Sequence, residues 1–124
     1  MAHTHKEIPQ HEWARYFAGI ARKDRTLWVR VESITSDTGD QSLADRLPLV
    51  DISFETKGAD SGAVQIILGR DGDEITHRIL QPSRVFVELD ETSGDLECLE
   101  IGEEAGKTLV FFEPLHDALQ SAPL

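Results

Sequence analysis

The pair His77-Arg78, inside Thr76-His77-Arg78-Ile79, carries the chemistry this chain would need to act on a small molecule. An imidazole near neutrality can move a proton or hold a metal, and a guanidinium beside it can hold an anion. His77 shares alternation parity with Ile75 and Ile79, which places its ring on the apolar side of a strand. A buried ring there is a structural imidazole; a ring bordering a pocket is a base or ligand. The second candidate is the basic run Arg22, Lys23, Arg25 and Arg30, the one stretch where a phosphate could be held. Cys98 stands alone, which leaves no partner for an intrachain disulfide, and it reads as an inert strand thiol unless a base reaches it. His3, His5 and His11 would suit zinc, copper or nickel if they converged, but the leading segment is expected to fray. No metal, cofactor or catalytic residue is therefore assigned.

Three resemblances to known motifs fail on spacing. Gly102-Glu103-Glu104-Ala105-Gly106-Lys107-Thr108 has three residues between its glycines where a phosphate-binding loop has four, and it runs into a strand pattern rather than a helix. His11-Glu12-Trp13-Ala14-Arg15 places a cation where a zinc-protease helix needs its second histidine. Asp71, Asp73 and Glu74 offer oxygens for calcium, but Gly72 is out of place for a calcium-binding loop.

Charge divides the chain. Across its 124 residues the formal net charge is −11, yet residues 1–30 hold six basic side chains against three acidic, and the remainder six against twenty. Val85 to Gly106 carries eight carboxylates and no Lys or Arg. Such a surface repels nucleic-acid backbones at long range, so nucleic acid is not the expected partner. The uncharged apolar runs are far shorter than the roughly 20 residues a membrane helix needs. Without a visible secretory signal, the expected location is the cytoplasm.

The elements that must position these residues begin with one helix. Trp13, Tyr16, Phe17, Ile20 and Ala21 recur at helical spacing, Pro9 suits the first turn, and Gly19 is expected to admit a close approach to a strand. After Asp24 the period falls to two. Seven strands are expected, near residues 26–34, 47–56, 63–69, 74–80, 84–90, 96–101 and 107–112, with Leu109 and Phe111 as the apolar pair of the last. Short gaps with Asp71-Gly72 and Ser93-Gly94 demand antiparallel hairpins. Thr35 to Arg46 reads as a long mobile loop. The expected fold is α+β: an N-terminal helix on a curved, mostly antiparallel sheet of six or seven strands or a small barrel. Residues 1–124 are expected to form a single domain with loose termini at 1–7 and 115–124.

The order of signals carries a resemblance: Ile8-Pro9 with Trp13, then Trp28-Val29-Arg30-Val31-Glu32, Leu47-Pro48-Leu49, Thr76-His77-Arg78-Ile79 with Pro82 and Val85, and Leu99-Glu100-Ile101. It resembles, over residues 7–113, a family of small uncharacterised bacterial proteins catalogued only as a domain of unknown function. That resemblance implies a bacterial single-domain protein and transfers no catalytic residue. The resulting expectation is a non-catalytic binding or scaffold module, with a protein partner or a second copy of itself. A small-ligand binder or enzyme centred on His77 and Arg78 is the alternative, followed by weak nucleic-acid binding through Arg22 to Arg30.

Overall fold

The computed structural model describes residues 3–22, 26–37, 39–58, 61–70 and 72–113. Strand β1 (His3–Ile8) leads through a 3-10 turn (Gln10–Glu12) into α1 (Trp13–Ala21). Seven strands follow: β2 (Trp28–Thr35), β3 (Gly39–Phe54), β4 (Val64–Arg70), β5 (Asp73–Ile79), β6 (Arg84–Asp90), β7 (Leu96–Gly102) and β8 (Gly106–Phe112). They form one antiparallel sheet in the order β1-β6-β7-β8-β2-β3-β4-β5. Among the described residues no helix is long and apolar enough to cross a membrane.

The sheet bends at β3. Its first half, from Gly39 to Pro48, pairs with β2, and its second, from Leu49 to Phe54, pairs with β4. Register shifts interrupt both ladders, and Arg46 takes the left-handed conformation at φ 65°, which costs a non-glycine residue free energy and turns the chain. The bend brings His77 of β5 within 3.2 Å of Thr108 of β8, and the two parts share one core.

That core gathers Trp13, Phe17 and Ile20 from the helix with Val29, Val31, Ile52, Ile66, Val85, Leu99 and Val110 from the sheet. The apolar stripe of α1 is buried as its 3.6-residue period requires, and Trp13 meets Phe54 edge-to-face at 5.2 Å. The Trp13 Nε1–H donates to the Ile8 carbonyl at 2.8 Å, which locks the entry into the helix.

Several expectations require correction. Among the described residues there are eight strands rather than six or seven, in an open sheet with β1 and β5 as its edges. Residues 3–7 are not a loose terminus but part of β1. Their side chains are all exposed, so this edge strand is held by ladder hydrogen bonds to β6 and shows no apolar alternation. Within the loop expected from Thr35 to Arg46, Thr35 ends β2 and most of Gly39 to Asp45 is paired as the polar first half of β3, where Ala44 alone is buried. Pro9 opens the 3-10 turn rather than α1. A Cβ on Gly19 would meet nothing within 4 Å, so no strand approaches there. In β8 the inward residues are Thr108, Val110 and Phe112, which turns Leu109 and Phe111 to the other face. Residues 115–124 lie outside the described residues.

Candidate functional site

The outward turn of Phe111 builds the most distinctive surface of the molecule. Cross-strand pairing places His5, Glu88, Cys98, Phe111, Arg30 and Asp45 in one row across six strands. At its β2 end the Arg30 guanidinium lies 4.0 Å from the Phe111 ring centre and pairs with Glu32. Trp28, two residues before Arg30 on the same face, receives two more guanidinium groups: Arg46 at 4.3 Å and Arg70 at 5.0 Å. The left-handed backbone at Arg46 breaks alternation, so Asp45 and Arg46 both border the same hollow. Glu113 accepts from Arg46 Nε at 3.0 Å. The hollow is shallow, about 290 Å³, with Trp28, Arg30, Arg46, Phe111 and Glu113 around it.

Each cation–ring contact contributes about 0.5–1 kcal/mol at a site this exposed. Their shared consequence is order: three long side chains are held rather than free to sweep through solvent. Arg30 and Arg46 each have a carboxylate. Among the described residues no carboxylate lies within ion-pair distance of Arg70, whose guanidinium lies over the Trp28 ring.

The residues singled out from sequence do not assemble. His77 faces inward, half-buried, with Nε2 3.2 Å from the Thr108 hydroxyl, and burial holds its pKa below the ordinary 6.5. Arg78 projects to the opposite face and donates to Gln65 Oε1 at 2.8 Å. Adjacent strand residues alternate sides, so His77 and Arg78 cannot serve one site. Arg22, at the C-terminus of α1, borders a separate depression with Asp51 and Ser53. Lys23 and Arg25 lie outside the described residues. Of the described residues of the basic run, Arg30 belongs to the arginine–aromatic hollow and Arg22 does not.

Cys98 is half-buried, and its thiol is pushed up to about 11 by burial and by the negative charges of Glu88 and Glu100. It is therefore a protonated, poorly nucleophilic thiol near neutrality. His3 lies against Glu88 and Glu97, His5 stacks on Phe86 with ring centres 5.2 Å apart, and His11 faces Glu12, so the three histidines do not converge.

Trp28, Arg46, Arg70 and Phe111 escaped the sequence reading. One signal was available: Trp28 shares parity with the charged Arg30 and Glu32, not with the buried Val29 and Val31. For Arg46 and Arg70 no local signal exists, because a backbone irregularity and the fold of β3 bring them to Trp28.

Comparison with known proteins matches residues 4–120 to a "Family of unknown function (DUF5335)". An "Uncharacterized protein" of Aquifex aeolicus (strain VF5) is 27% identical over 101 residues, covering 82% of this chain and 84% of the relative. No solved structure matches.

Proposed function

From the premise that this chain belongs to the DUF5335 family, to which no activity is attached, we propose that it is a non-catalytic module binding a short acidic, partly apolar segment of a partner protein. The observation carrying this reading is the Trp28 ring with the guanidinium groups of Arg46 and Arg70 both over it. Tryptophan and arginine are the side chains that most often dominate protein interfaces, because they combine large contact area with directional polar groups. A carboxylate on the partner would complete Arg70, while an apolar side chain would cover Trp28 and Phe111. The shallow hollow suits a side chain presented by a larger surface better than a fully enclosed metabolite. The acidic remainder of the chain opposes a long polyphosphate more than a short peptide.

Fluorescence titration tests the reading, since Trp28 is half-exposed and Trp13 is buried. A peptide alternating Glu with Leu or Phe should give a saturable Trp28 signal. Arg70→Ala and Arg46→Gly should each weaken it at least ~5-fold, the size of a ~1 kcal/mol contact. Arg78→Ala, on another face, should leave it unchanged. Tighter binding of a single-stranded oligonucleotide, or no saturable response to the peptide, overturns the proposal.

A further inference from the structure

At the far end of the same outer face, three donor side chains from three strands meet. His3 of β1 has Nδ1 3.7 Å from Glu88 Oε1 of β6 and in direct contact with Glu97 Oε1 of β7. One donor atom from each of the three lies within 4.8 Å of the other two. Strict alternation would not produce this. Leu99 and Ile101 point inward, so Glu97 should point inward too. Instead, the β6–β7 ladder shifts register, with Glu88 opposite Cys98 and Leu89 opposite Leu96, and Glu97 is the extra residue. A bulge of this kind turns the extra side chain toward the face of its neighbour. It aims Glu97 at His3 and Glu88 on the outer face.

We propose that His3, Glu88 and Glu97 form a binding site for a divalent transition-metal ion, zinc foremost, that clamps the edge strand β1 to β6 and β7. One imidazole nitrogen and two carboxylate oxygens suit zinc, whereas calcium and magnesium favour oxygen alone. Zinc bonds of about 2.0–2.2 Å set neighbouring donors about 3.3 Å apart, so the His3–Glu88 pair need only draw together slightly, while the His3–Glu97 pair, now in direct contact, opens to admit the ion. Solvent fills the remaining position. Asp90, opposite His3 in the ladder, accepts from the backbone N–H groups of Thr92 and Ser93 at 2.8 and 3.0 Å. It is thereby committed as a turn anchor and adds negative charge without serving as a ligand. Without the ion, the like charges of Glu88 and Glu97 oppose each other beside the His3 ring. With it, the same three groups join a strand that has a single neighbour to the body of the sheet. The site is independent of the arginine–aromatic hollow.

Calorimetric titration of the full chain with zinc chloride, after chelator treatment and without an added polyhistidine tag, tests the site. One zinc per chain is expected, with the melting temperature rising as zinc is added. His3→Gln, Glu88→Gln and Glu97→Gln should each weaken binding at least ~10-fold, since loss of even a supporting group around a metal costs that much. His5→Gln should bind as the parent does. Circular dichroism checks that each variant is folded. Absence of saturable binding overturns the site. So does loss in His3→Gln with both glutamate variants unaffected, which would mean chelation by the leading segment alone. Equal loss in His5→Gln would also overturn it, by assigning the metal to a two-histidine arrangement on β1.

Discussion

His77 on β5 stands 3.2 Å from the hydroxyl of Thr108 on β8, although β2, β3 and β4 separate the two strands in the sheet. Thr108 is the one buried polar residue among those described, and the contact spans the core that the bend in β3 creates. Removing the hydroxyl leaves the ring nitrogen without this partner. Thr108→Val should cost about 1 kcal/mol in urea denaturation, while Arg78→Ala on the solvent face should cost less.

The same ring sets a pH dependence. Burial holds the folded pKa of His77 below 6.5, so the unfolded chain takes up the proton first as pH falls. The stability associated with the neutral ring is fully present above that ordinary value and declines as pH drops from it through the folded pKa. Denaturation midpoints measured between pH 7.5 and 5 should show this slope in the parent and a shallower one in His77→Gln.

Phe17 is fully buried at the centre of the helix stripe. Phe17→Ala should destabilise the protein by about 3–5 kcal/mol, through lost transfer energy and the cavity left behind. A loss below ~1 kcal/mol would mean that α1 does not pack on the sheet.

Two glycines should respond oppositely to alanine. At Gly106 an added Cβ would fall 2.1 Å from the Ile34 carbonyl oxygen and 2.9 Å from the Thr35 Cα, so β2 and β8 would have to separate. Gly106→Ala should cost about 1–3 kcal/mol or more. Gly19 sits in α1 with open space around its Cα, and Gly19→Ala should raise stability by up to about 1 kcal/mol. Thermal melts of the two variants give the comparison directly.

Cys98, with its pKa pushed to about 11 from 9.0, should react slowly with a thiol reagent at pH 8. The thiolate fraction is ~100-fold below that of an unshifted thiol, and its greater intrinsic nucleophilicity recovers part of this, leaving a ~10-fold slower reaction. Glu100→Gln should accelerate labelling, since it removes one of the charges that disfavour the thiolate.

The amphipathic helix and the inward-facing residues of β2, β4, β6 and β7 are legible from the chain itself, because burying one face imposes a local period on sequence. The antiparallel sense follows equally from short hairpin gaps. An edge strand and a polar strand half have no such period: β1 and the start of β3 are held by backbone hydrogen bonds that any side chains permit. The placement of His77 and Arg78 on opposite faces follows from alternation, but which pockets each face borders does not. Both candidate sites arise where alternation breaks, at the left-handed Arg46 and at the extra residue Glu97. The sequence alone therefore determined the helix, the sense of the sheet and much of the core, all of which repeat a local rule. Tertiary structure decided which charged and aromatic side chains meet, because bulges and the bend of β3 join residues tens of positions apart that no local period connects.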